Sequence, residues 1–210
     1  MSIGWKDWNK VDVIYGLIVP IVVGLLIVGV SQLSSLFSGD AFGIVVGLTS
    51  EIEELLVIVA IPLMFGLVWN RWAGGASGFI MGTFYALAFA SKLPGAMGVG
   101  RDFMMSAYLG LGPVMLGYVV SAMLIGYIAG ALLKNSENFK RMLFVSLLTT
   151  TIVGVVLFGI YQISPSNVVL GLSGFLLTVL ARTATGAIVA VLAKVAMWYG
   201  VAMKKQTSYP

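Results

Sequence analysis

Glu51, Glu53 and Glu54 lead into a long apolar stretch, Lys92, Arg101 and Asp102 sit among Gly95, Gly98 and Gly100, and Arg182 interrupts a second apolar stretch. In a chain this poor in charge, these are the residues that could do chemistry, and the chemistry they suit is recognition of a solute. Carboxylates at a helix start complement the helix dipole, which accounts for the glutamate cluster without a ligand. Glu54, the deepest of the three, is also placed to accept hydrogen bonds from a polar or cationic ligand. Arg101 and Asp102, with Lys92 nearby, make a two-signed cluster able to clamp a small polar molecule, although neighbouring loop charges often only face water. Arg182, followed by Thr183, Thr185 and Gly186, reads as an anchor at a membrane interface or as a functional charge. Glu51, Glu54, Lys92, Arg101, Asp102 and Arg182 together form the candidate ligand-binding set.

Other chemistries lack their parts. The chain has no histidine and no cysteine, so the usual intramembrane copper, haem and zinc ligand sets, thiolate chemistry and disulfides are not expected. No paired intramembrane acids, phosphate-cradling loop or hydrolase motif is present, so the chain is read as a non-enzyme without metal or cofactor. The net charge of +4 and pI near 9.4 would suggest nucleic acid in a soluble protein. Here the basic residues border apolar stretches, and nucleic-acid binding is not expected.

The elements that must position these residues are apolar and long. Hydrophobic residues make up 60% of the 210-residue chain and charged residues 10%, with a mean hydropathy of +1.04; a soluble domain carries about a quarter charged residues. A hydrocarbon core about 30 Å thick needs roughly 20 helical residues to cross it. Six stretches approach that length: Val11 to Val30, Ile52 to Trp69, Ala73 to Leu93, Pro113 to Leu133, Met142 to Ile163, and one within Asn167 to Met203. They are continuous, where barrel strands would alternate over about ten residues. The expectation is an all-α, polytopic membrane helix bundle of about six transmembrane helices, with residues 1–210 forming one integral membrane domain. The first stretch is too long for a cleavable signal and is read as a retained span.

Orientation follows from the basic residues. With alternating sides, Lys6, Lys10, Arg71, Lys134, Lys140, Arg141, Lys204 and Lys205 fall on one face, against Lys92 and Arg101 on the other. That bias places both termini in the cytoplasm, as a multi-pass protein of the cell membrane. All five tryptophans, Trp5, Trp8, Trp69, Trp72 and Trp198, map to the same face, as an aromatic belt does.

Small residues mark the packing faces. Gly74, Gly78, Gly82, Ala86 and Ala90 recur every fourth residue in the third stretch, and Ala122, Gly126 and Gly130 do so in the fourth. Such ridges let helix backbones approach in lipid, either within the chain or against another membrane subunit. Pro20 and Pro62 each remove a backbone hydrogen bond inside a span. Two stretches, Ala41 to Leu48 and Asn167 to Ala181, are too apolar for plain loops and read as lids or interfacial helices. The alternative for the second is one long tilted helix with Arg182 snorkelling. In either case Lys194 lies near the inner half.

Gly66 to Gly82, GLVWNRWAGGASGFIMG, and Leu111 to Lys134, LGPVMLGYVVSAMLIGYIAGALLK, resemble the tight inner turn, glycine-rich third helix and fourth helix of the substrate-capture subunits (S components) of energy-coupling-factor vitamin transporters. The length and the charge-poor six-span layout resemble them too. Members often carry Ala-x-x-x-Ala in the first helix, where this chain has Gly16, Pro20 and Gly24. The resemblance implies an outward-opening pocket, a small vitamin-like or metal-ion substrate and separate ATPase subunits; it assigns no ligand residue. A small-molecule uptake subunit is therefore the first expectation, with membrane lipids, other integral membrane subunits and a small polar ligand as partners. A non-catalytic accessory subunit of a larger membrane complex, such as a membrane-bound oxidoreductase, is the alternative.

Overall fold

Apolar stretches near membrane length, broken by short polar joins, produce helices and nothing else among the residues that the computed structural model describes: 13–23, 52–91, 101–134, 136–163 and 171–199. At residues 15, 16, 88–91 and 101–113 the description covers the backbone alone. We number the helices α1 (residues 13–23), α2 (residues 52–68), α3 (Arg71–Ser91), α4 (Arg101–Leu133), α5 (Phe139–Ile163) and α6 (Leu172–Trp198). Three are long and apolar enough to cross a membrane: the Val114–Leu133 part of α4, α5 and α6. Their outward faces carry large apolar side chains, among them Leu116, Phe144, Leu177, Leu180 and Ile188.

The two intrahelical prolines are accommodated in the same way. Pro62 follows a π-wound stretch, Leu55–Ala60, and Pro20 follows another, Ile14–Ile18. A proline ring crowds the carbonyl four residues back and offers it no N–H. Winding with bonds to the fifth residue widens the turn just before the ring: the amide of Ile61 donates to the Leu56 carbonyl and that of Val19 to Ile14.

Backbone contact between glycine ridges builds the centre of the bundle. Along the antiparallel α3 and α4, Gly82 meets Val119, Gly78 meets Ala122, Gly74 meets Gly126 and Arg71 meets Gly130, in steps of three or four residues on both helices. Gly66 of α2 reaches the same node, lying against the backbones of Gly74 and Gly126. A Cβ at any of these three glycines would overlap backbone atoms of a neighbouring helix. The ridges thus serve packing within the chain, and Ala86 is buried with them; Ala90 is described by its backbone alone. α2 is the innermost helix, since Val57, Ile58, Val59 and Leu63 are all sequestered, as expected of a helix apolar on every side.

A second close pair, α5 with α6, uses small polar residues. Ser146, Thr150 and Gly154 repeat every fourth residue on α5 and face Gly186 and Val179 of α6. Ser146 Oγ donates to the Gly186 carbonyl at 2.5 Å, and the Thr151 and Thr183 hydroxyls bond at 3.0 Å. Phe158 and Phe175 close the upper end edge to face, with ring centroids 5.0 Å apart.

One end of the bundle is basic. The α2–α3 turn at Trp69 and Asn70, the α4–α5 turn and the end of α6 meet there: Lys194 Nζ donates to the Glu137 carbonyl at 2.8 Å, and Arg141 Nη2 to the Leu132 carbonyl at 2.8 Å. Arg71, Lys134, Lys140, Arg141 and Lys194 share this end with Trp69, Trp72 and Trp198, as the charge and aromatic patterns predict for the described part of the chain. Lys6, Lys10, Lys204, Lys205, Trp5 and Trp8 lie outside the described residues. Asparagines start two of the helices here. Asn70 Oδ1 accepts from the amides of Trp72 and Ala73, both at 2.9 Å, and Asn138 Oδ1 accepts from Lys140 N at 3.0 Å. Loss of an N-cap oxygen costs about 1 kcal/mol, so Asn70→Ala is expected to lower the melting temperature of the purified protein by a few degrees. An unchanged melt would show that α3 does not depend on this cap.

Two expectations need correction. The sequence reads Arg101 and Asp102 as loop charges, yet the backbone is helical from Arg101 onward. Arg101 and Asp102 therefore occupy the first turn of α4. The last apolar stretch is a single helix of 27 residues from Leu172 to Trp198, so the described part of the second candidate lid, up to Ala181, belongs to the same helix as Arg182. Arg182 lies in mid-helix because it has a partner there.

Candidate functional site

That partner is Glu54. Arg182 Nη2 donates to Glu54 Oε1, forming a salt bridge between residues 128 positions apart. The Glu54 side chain retains 18% exposure and the Arg182 side chain 7%, so the pair is enclosed on most sides and approachable from the glutamate. Arg182 Nη1 donates to the Thr178 carbonyl at 3.0 Å, one turn earlier on α6. Its Nε–H is buried and has no acceptor among the described residues.

Chain geometry explains why these two residues meet. From the basic end, Glu54 lies 14 residues up α2, Tyr85 14 up α3, Tyr118 15 up α4 and Arg182 16 up α6. At 1.5 Å per residue all four stand about 21–24 Å above that end. Tyr161 starts higher, about 33 Å up α5 by the same count, but side chains lean toward their helix N-terminus. Because α5 ascends and α6 descends, Tyr161 leans down and Arg182 leans up, and the two converge.

The tyrosines form a connected group. Tyr161 Oη donates to Tyr118 Oη at 3.1 Å, Tyr118 and Tyr85 pack edge to face at 4.9 Å, and Tyr118 and Tyr161 do so at 6.4 Å. All three rings lie in the electrostatic field of Glu54, and Tyr85 and Tyr161 also lie in that of Arg182. Five helices thus contribute one of these polar residues each to one layer, and the Thr151–Thr183 hydroxyl pair lies at a similar height. Such a layer can neutralise a charge, orient a dipole or exchange hydrogen bonds with a solute. Among the described residues no cluster of His, Cys, Asp and Glu could hold a metal ion.

The six candidate residues fare differently. Glu54 and Arg182 are brought together, and the reading of Arg182 as an interfacial anchor is corrected: its guanidinium is buried against a carboxylate instead of reaching for a headgroup. Arg101 and Asp102 are helical and described by their backbone alone, while Glu51 and Lys92 lie outside the described residues. Ala41 to Leu48, the other candidate lid, also lies outside them.

Sequence reasoning missed the tyrosines. A usable signal existed, namely the count from the tryptophan and arginine markers at the basic end, which puts Glu54, Tyr85, Tyr118 and Arg182 at one height. Comparison with known protein families, curated proteins and solved structures finds no match to this chain.

Proposed function

We propose that this chain is an integral membrane small-molecule uptake subunit of the cell membrane, crossing it six times with both termini cytoplasmic and binding its solute at the Glu54–Arg182 pair and the adjoining tyrosines. The observation that carries the reading is the buried ion pair itself. A lone charge at the centre of a span costs about 2.5–3.5 kcal/mol on insertion scales, and intramembrane charges characteristically mark ligand and ion pathways. A bundle that needed only to pack would do so with small residues and apolar side chains, as it does elsewhere. The position of the pair in the half of the bundle away from the basic end favours a site loaded from outside, and the resemblance to solute-capture subunits points the same way.

On this reading the chain works with separate ATPase and coupling subunits. Gentle solubilisation of native membranes, with the chain as bait, is expected to recover those subunits. Recovery of redox subunits in a fixed ratio would instead make it an accessory chain of an oxidoreductase. The engagement of Gly74, Gly78 and Gly82 with α4 removes one surface such an accessory chain would have used.

A further inference from the structure

We infer that the cleft between the α4–α5 turn and the end of α6 holds a phospholipid with a phosphoethanolamine headgroup, its phosphate on Lys194 and its ammonium on Glu137. The cleft has a volume of about 430 Å³ and is lined by Glu137, Lys194, Met197 and Trp198. It stands apart from the polar layer, since Lys194 lies about 18 Å along α6 from Arg182 at 1.5 Å per residue.

Two charges of opposite sign line this cleft without pairing. Lys194 Nζ donates to the Glu137 backbone carbonyl at 2.8 Å, but the Glu137 carboxylate forms no ion pair with Lys194 or with any other described residue. An ammonium carries three N–H donors, so Lys194 keeps donors for a guest, and the carboxylate keeps its accepting capacity. A lone phosphate would meet Lys194 as a point charge while facing the carboxylate. A primary ammonium on the same molecule relieves that repulsion and donates hydrogen bonds to Glu137. A choline headgroup has no N–H to donate, and a glycerol headgroup brings no cation.

The surroundings select a lipid over a water-soluble phosphoethanolamine. The membrane-length parts of α4 and α6 end at Leu133 and Trp198, and α5 begins at Phe139, which puts the cleft at the depth of the headgroups. Trp198 is 86% exposed, as amphipathic rings are at that depth. From Trp198 an exposed stripe of Val195, Val191, Ile188 and Ala184 runs away from the basic end, in the steps of three and four residues that keep side chains on one helix face. The acyl chains lie along this stripe while the headgroup turns into the cleft.

The test uses the full chain, stripped of native lipid in a mild detergent. It is melted with phosphatidylethanolamine, phosphatidylcholine or phosphatidylglycerol of the same acyl chains, and with soluble glycerophosphoethanolamine. Phosphatidylethanolamine is expected to raise the melting temperature by a few degrees, since a ligand bound only to the folded state stabilises it. The other two lipids are expected to give less than half that shift, and the soluble headgroup none.

Glu137→Gln removes only the acid, so phosphatidylethanolamine is expected to lose at least half its effect and phosphatidylglycerol to match or exceed it. Lys194→Gln is expected to abolish the gain from both. Each variant is compared with its own lipid-free melt, because K194Q also gives up the bond to the Glu137 carbonyl. Equal shifts from all three lipids, or none from phosphatidylethanolamine, overturn the inference, as does a phosphatidylethanolamine shift that survives both substitutions. A larger wild-type shift with phosphatidylglycerol makes this an anionic-lipid site and overturns the headgroup assignment. A shift of equal size from glycerophosphoethanolamine makes it a site for a soluble molecule and overturns the lipid.

Discussion

Arg182→Ala is expected to destabilise the bundle by about 3–5 kcal/mol, the characteristic cost of removing one partner from a buried pair. The loss is not the strength of the salt bridge. It arises because Glu54 would keep its charge in a largely enclosed layer after losing the guanidinium it pairs with. Glu54→Leu combined with Arg182→Met removes both charges and fills similar volume, and such replacements are often neutral or stabilising. The double variant is therefore expected to melt within a few degrees of the wild type. Thermal melts of the purified proteins in one detergent check the set. A single variant as stable as the wild type would show that Glu54 has another cation to pair with.

Gly126→Ala should fail almost as badly. Its new Cβ would overlap the carbonyl oxygen, carbonyl carbon and Cα of Gly74, and helical backbone atoms cannot rotate away as a side chain can. Overpacking usually costs about 1–3 kcal/mol, and the upper part of that range is expected where every clashing atom is backbone. Gly159→Ala is the matched control. It lies on the exposed side of α5 with nothing within 4 Å of the added carbon, and alanine is the better helix former by about 0.5–1 kcal/mol. The expected result is loss of folded protein for G126A, on size-exclusion chromatography after extraction, and a slight gain in melting temperature for G159A. Equal behaviour of the two would mean that α3 and α4 do not touch at the glycine node.

The sequence reveals most of the helices because bilayer length and glycine spacing are local properties. Gly74, Gly78 and Gly82 recur on their own helix and so do Ala122, Gly126 and Gly130; each ridge can be read without knowing its partner. The start of α4 was misjudged since Gly95, Gly98 and Gly100 suggest a loop, yet those glycines all precede Arg101, where the helix begins. The site was legible only in halves. Glu54 and Arg182 each stand out as charges beside apolar stretches, but nothing local says that they meet, and the helix dipole and snorkelling offered each a separate explanation. The Ser146, Thr150 and Gly154 ridge escaped notice for a related reason: two of its three members are polar, and their small size is what lets α6 come close.

The connection between Glu54 and Arg182 also imposes an order on how the polypeptide is made. Glu54 leaves the ribosome 128 residues before the cation that neutralises it. The α3–α4 hairpin can close by itself, through contacts between its own backbones, while Glu54 of α2 still lacks its α6 guanidinium. Completion of α6 ends that wait. A nascent chain halted before Arg182 would thus hold an assembled hairpin beside a carboxylate whose α6 partner has yet to be made.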